Sequence, residues 1–236
     1  MAAHVPQCAR VGRLMTLSPI REFALKALLW LPLSFVLWFV FASPLVWPVM
    51  QLAKGVLLSA WPQLFSDLSQ GAAITDIGNR VIGNGGYLIT LTTHIIVSTT
   101  GADGRSAIGL LEPTLNPLIY GYSLPLFSGL AMATPVTMRR RLLQFAIALC
   151  VIWLAQAFGV VCESLKFVAF DAGQPGIAAM AKVGISAEVI ALAYQFGYLI
   201  LPAVVPVALW IGLNRDFIEN LIQRPRDTMN KPTQAA

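Results

Sequence analysis

Met138-Arg139-Arg140-Arg141 divides two apolar runs, Leu115 to Val136 before it and Leu142 to Val161 after it. Each arginine would cost about 2.5–3.5 kcal/mol at the centre of a bilayer. The triplet therefore belongs at a membrane surface, where the spacing predicts a short turn. Loops rich in Lys and Arg stay on the cytoplasmic side, so Arg139, Arg140 and Arg141 orient the rest of the chain.

The composition agrees with a membrane protein. Of 236 residues, 57% are hydrophobic and 11% charged, against about 45–50% and about 25% in a soluble domain. The formal charge of +5 raises nucleic acid as a partner. The basic residues, however, flank apolar runs as topology determinants do, so nucleic acid is discounted and membrane lipid is expected. Cys8, Cys150 and Cys162 show neither CxxC nor metal-ligand spacing, and His4 and His94 are too few for a His-built centre. No metal and no cofactor is expected.

Working back from the triplet, the second transmembrane helix falls within 113–138 and contains Pro125 and Pro135. Residues 62–112 read differently. Tyr87 to Thr100 is rich in β-branched residues, with Gly83-Asn84-Gly85-Gly86 before it and Gly101-Ala102-Asp103-Gly104 after it, which predicts a strand. An Asp103-Gly104 turn would return the chain along Arg105 to Leu111 as a hairpin, and Thr75 to Val81 offers another strand. Such a β-rich subdomain is too small to stand alone and should pack on the helix ends outside the cytoplasm. Ala27 to Ala53 carries no charge and exceeds the about 20 residues of one span. The first transmembrane helix and its extension are placed at 23–61. Phe41-Ala42-Ser43 is a poor cleavage site and the run is too long for a signal peptide, so the segment reads as an uncleaved anchor. Residues 1–22 form a basic cytoplasmic tail, with Met15 as an alternative start, Ser18 as an N-cap and Pro19 at the first helical position.

Working forward, the third transmembrane helix covers 142–165. An external loop covers 166–188, with Gly173-Gln174-Pro175-Gly176 as its turn. The fourth helix covers 189–214, kinked by Pro202 and Pro206, and 215–236 is a second cytoplasmic tail. The predicted fold class is membrane α-helical, with four transmembrane helices, both termini inside, and a β-rich extracytoplasmic insertion between the first two. A bacterial inner membrane is the expected location.

Two groups of polar residues are candidates for function. Glu163 lies seven residues after Gln156, on the same helical face, and an ionisable group near a membrane is a functional suspect. Its plain reading is a solvated carboxylate paired with Lys166 at i+3. Asn116, Tyr120, Tyr122, Tyr194, Gln195 and Tyr198 gather near the outer leaflet, with Tyr194 and Tyr198 at i, i+4. They would line a groove for a peptide or a lipid headgroup, and their plain reading is an aromatic belt with interhelical hydrogen bonds. Cys162 with His94 lacks any spacing for a thiol nucleophile and base. No nucleophile elbow, Walker loop or zinc-protease motif occurs. No catalytic residue is assigned.

Leu17-Ser18-Pro19-Ile20-Arg21-Glu22-Phe23, the run Asn116-Pro117-Leu118-Ile119-Tyr120-Gly121-Tyr122-Ser123-Leu124-Pro125-Leu126-Phe127, and Tyr194-Gln195-Phe196-Gly197-Tyr198-Leu199-Ile200-Leu201-Pro202 resemble segments of the exosortase H-associated membrane proteins. The likeness runs from about Leu14 to Ile218. It implies a role beside an exosortase, a membrane-embedded cysteine transpeptidase that processes proteins bearing a C-terminal sorting helix. The expected function is thus a non-enzymatic accessory protein that binds the protease or its substrate. The alternative is a small subunit of a transport or envelope-polymer export complex, with Gln156, Glu163 and Gln195 along a pathway.

Overall fold

The computed structural model describes residues 19–75, 81–100 and 106–221. The expected Ser18 cap, the Asp103-Gly104 turn and most of both tails lie outside them. Among the described residues, three helices are long and apolar enough to cross a membrane: Pro19–Val40, Met138–Asp171 and Ala187–Leu213. The segment Leu118–Ala133 is apolar but shorter.

The first apolar run is two helices rather than one. Helix α1 spans Pro19–Val40 and α2 spans Ala42–Ala60, parted at Phe41. Pro44 and Pro48 supply no backbone N–H to the turns after Phe41, so helical bonding is weakest there. Beyond the break, Ala42, Val46, Val49, Met50, Ala53 and Leu57 recur at helical spacing and are all buried. This stripe seats α2 on the sheet and on the C-terminal half of the long helix Met138–Asp171. It is part of the core beneath the sheet, not a continuation of α1.

The sheet region holds more strand than expected. Strand β1 (Phe65–Thr75) pairs antiparallel with β2 (Val81–Thr93), and β2 pairs with the short β5 (Thr114–Leu115). The anticipated single strand to Thr100 breaks at His94, whose N–H donates to Leu64 O at 2.9 Å. Strands β3 (Ile96–Thr100) and β4 (Ser106–Leu110) then form a separate hairpin, with Thr100 opposite Ser106. Leu64, Phe65, Leu68, Ile89, Leu91 and Leu115 face α2 in one core with Val160, Leu165 and Val168.

The second apolar run is interrupted. Helix α3 (Leu118–Gly121) and α4 (Ser123–Ala133) meet at Tyr122. Gly129 lets α1 approach closely, because a Cβ there would lie 2.9 Å from Leu31 Cα. The arginine triplet is not a turn. Pro135, Val136 and Thr137 make the connection, and Arg139 to Arg141 sit in the first turn of α5 (Met138–Lys166). The last carbonyls of a helix lack partners within it. Starting α5 early places the guanidinium groups beside those of two neighbouring helices.

The expected loop at 166–188 is helical too. A π-helical turn, Phe167–Asp171, extends α5, and α6 (Gly173–Val183) begins where Gly173-Gln174-Pro175-Gly176 was expected to turn. The reversal comes at Gly184, whose φ of +75° suits glycine and whose N–H donates to Met180 O. Ser186 then caps α7 (Ala187–Gln195), accepting from Val189 N. A second π-helical turn, Phe196–Ile200, leads into α8 (Leu201–Leu213). Pro206 cannot donate to Pro202 O, and Ser123 Oγ donates to that carbonyl instead, at 3.0 Å.

One end of the bundle carries the start of α1, the end of α4, the start of α5 and the end of α8. Phe23 stacks on Trp210 and touches Phe217, and Arg140 reaches Leu213 O. The sheet, α2 and α6 lie at the opposite end. A second core, of Leu124, Phe127, Ala131, Ala148 and Ile152, fills the bundle between the two ends.

Candidate functional site

The sheet-side end holds the first polar cluster. Tyr120 is only 1% exposed because α5 has no side chain at Gly159. A Cβ there would lie 2.6 Å from Tyr120 Cδ1, and Gly197 packs on the other side, its own Cβ position 3.3 Å from Gly159 Cα. The ring of Tyr120 stands edge-on to Tyr198 with centroids 6.2 Å apart, and Tyr198 stacks on Tyr194 at 5.8 Å with planes 4° apart. The Tyr120 hydroxyl is directed toward the Glu163 carboxylate and Tyr194. Yet neither that hydroxyl nor Glu163 Oε2, both buried atoms, completes a hydrogen bond.

Lys166 does not pair with Glu163. Its ammonium bonds Asp171 Oδ2 at 2.6 Å and lies 5.8 Å from the centre of the Tyr194 ring. The π-helical turn explains the choice. Ordinary helical neighbours sit at i+3 and i+4, but the wider turn brings Asp171 round to Lys166 at i+5.

Four of the eight groove candidates therefore come together: Tyr120, Glu163, Tyr194 and Tyr198. Gln156 is buried below them and bonds Gly121 O at 3.4 Å, a carbonyl left free where α3 breaks from α4. Asn116 closes a local turn, its Oδ1 accepting from Leu118 N at 3.1 Å. Tyr122 lies at the α3–α4 junction and Gln195 is exposed at the end of α7. Neither joins the cluster. Cys162 is buried within α5, and His94 is exposed between β2 and β3.

The opposite end holds a polar network that the sequence did not reveal. Gln144 Nε2 donates to Asn214 Oδ1 at 2.8 Å and to Leu213 O at 3.2 Å. Asn214 Nδ2 donates to Trp210 O, and Trp210 Nε1 donates to Thr134 Oγ1 at 2.9 Å. Arg141 reaches Thr134 O, while Arg140 reaches Leu213 O and Asp216. The two arginines thus satisfy carbonyls at the ends of α4 and α8, where positive charge also complements the helix dipole. Thr134, Gln144 and Asn214 are buried. Each looks like an isolated polar residue in the sequence, and only the α4–α5–α8 packing joins them.

Residues 17–217 match the exosortase H-associated membrane protein family. The chain belongs to that family. Its three long apolar helices fit a membrane protein, and the family is one associated with an exosortase. No curated protein and no solved structure matches the chain.

Proposed function

We propose that this family member is a non-enzymatic, four-span accessory protein of the bacterial inner membrane, with both ends in the cytoplasm. It binds an exosortase or the substrate of one through the cluster of Tyr120, Glu163, Tyr194 and Tyr198, and so assists protein sorting at the cell envelope. The family supplies the system, and the cluster supplies the surface. The observation that carries the reading is the unclosed polar pair of Tyr120 and Glu163 at the end of the bundle nearest the sheet.

The topology follows from charge and length. Arg21, Lys26, Arg139, Arg140, Arg141 and Arg215 all fall at the network end, which the positive-inside rule puts in the cytoplasm. Leu118–Ala133 is only about 24 Å long at 1.5 Å per residue, short of a full span. It is also the most enclosed helix of the bundle, with Tyr120, Leu124, Phe127, Gly129 and Ala131 buried. Irregular backbone at its ends is then covered by protein rather than lipid. About 20 residues from Leu142 reach the outer face, which sets Glu163 at the interface.

A transport pathway would need Gln156, Glu163 and Gln195 in line. Gln156 is committed to Gly121 O and Gln195 is exposed at the end of α7, so no second reading is carried. The test is to solubilise tagged protein from native membranes and identify what co-purifies. An exosortase or a sorting-helix protein is expected, with or without Cys162→Ala. Recovery of transport or polymer-export subunits instead, or loss of sorting by Cys162→Ala alone, would overturn the proposal.

A further inference from the structure

We propose that a groove between α2 and the sheet binds the neutral sugar headgroup of a membrane glycolipid. The site is separate from the Tyr120 cluster. Gly83-Asn84-Gly85-Gly86 reads in the sequence as the flank of a strand, yet it lies within β2 (Val81–Thr93). The ladder is broken beside it. Gln70 pairs with Ile89 and Ala72 with Gly85, so Gly71 alone stands opposite the stretch from Gly86 to Leu88. Bulges re-aim side chains and are frequent next to functional sites. This one borders an open groove of about 630 Å³ whose other wall is the start of α2, a size within the usual range for ligand sites.

The groove is held in shape by the protein's own bonds. Gln70 Nε2 donates to Ser43 O and to Gly86 O, both at 2.7 Å, and Ser43 Oγ donates to Gly86 O at 2.9 Å. A Cβ on Gly86 would lie 3.2 Å from Ser43 Oγ and crowd this lock. Gly71, at φ +102°, adopts a backbone conformation that favours glycine, and its carbonyl accepts from Thr90 Oγ1 at 3.2 Å. The carbonyls of Gly71 and Gly86 are thus occupied and do not recruit a peptide strand. Among the described residues, Gln70 Oε1 and the Asn84 amide have no protein partner, and Trp47 beside them is 56% exposed. No charged side chain among the described residues lines the groove. Uncharged amides select a neutral ligand rich in hydroxyl groups, and the flat indole suits the C–H face of a sugar ring. The height selects a lipid headgroup. Helix α1, with 22 residues, is about 33 Å long at 1.5 Å per residue, enough to cross the roughly 30 Å hydrocarbon core. Ser43 and Trp47 follow in the first two turns of α2, so the groove opens at the membrane surface.

The chain has six tryptophans, so protein labelled with 5-fluorotryptophan gives six fluorine resonances, assignable by Trp→Phe substitution. In phosphatidylglycerol nanodiscs, monoglucosyl- or monogalactosyl-diacylglycerol should shift the Trp47 resonance saturably, and plain diacylglycerol should not. Asn84→Ala should weaken binding about three- to tenfold, as expected for loss of one hydrogen bond. The Asn84 side chain is exposed and bonds no other residue, so this variant folds, and the other five resonances verify it. A Trp47 resonance unmoved by both glycolipids, equal shifts with diacylglycerol, or undiminished binding by Asn84→Ala would overturn the proposal. So would a response to free methyl glycosides alone, which would place the ligand in solution rather than in the membrane.

Discussion

The two ends of the bundle differ in how far their polar side chains are tied together. At the arginine end, Thr134, Gln144, Trp210, Asn214, Arg140 and Arg141 each make at least one hydrogen bond between segments, although Arg141 Nε and Gln144 Oε1 are left without a partner. At the sheet end, the Tyr120 hydroxyl and Glu163 Oε2 make none. A buried polar group left unmade costs about 1–3 kcal/mol, whereas a made hydrogen bond contributes only about 1 kcal/mol. The arginine-end network joins α4, α5 and α8 through several made bonds and is therefore a fastening. At the sheet end the Tyr120 hydroxyl and Glu163 Oε2 carry that cost with no bond made between helices to offset it.

Substitutions can break this contrast. The largest effect is expected at Gly159, where any Cβ meets the Tyr120 ring. Gly159→Val should destabilise by about 3 kcal/mol through overpacking and abolish partner capture, read as thermal unfolding in detergent and as co-purification. A near-neutral result would mean that Tyr120 is not seated in the slot.

Next comes the network. Asn214→Ala removes the partner of Gln144 Nε2 and should cost about 1–2 kcal/mol, the upper range for hydrogen bonds between membrane helices. The double variant with Gln144→Leu should cost less than the sum of the singles, because both remove the same bond. Additivity would show that the two side chains act independently.

The smallest effect sharpens the contrast most. Tyr120→Phe removes a hydroxyl that makes no bond, so stability should stay within about 0.5 kcal/mol of the parent or rise. A loss above about 1 kcal/mol would reveal a closed hydrogen bond and erase the difference between the two ends.

The two clusters were not equally legible in the sequence. Tyr194 and Tyr198 stand four residues apart on one helix, so their stacking follows from local geometry alone. The β3–β4 hairpin was legible in part: the glycines after Thr100 signalled the return of the chain, but nothing signalled the break at His94 that parts β3 from β2. The network was not, because Gln144 and Asn214 are 70 residues apart and meet only through helix packing. The π-helical turns leave no period in the sequence, so Lys166 was expected beside Glu163 and is found beside Asp171. Residues 166–188 were expected as a loop because Gly173, Pro175 and Gly176 signal turns. Each is tolerated here in the first turn of α6, where backbone N–H groups need no partner within the helix.

If the proposed function holds, the sheet end, not the arginine end, faces a partner. A photo-activatable residue placed at Tyr194 and, separately, at Phe217 of the opposite end tests it in native membranes. Crosslinks to an exosortase or a sorting-helix protein are expected from position 194 and none from position 217. Capture of that partner from 217, with only lipid recovered from 194, would contradict it.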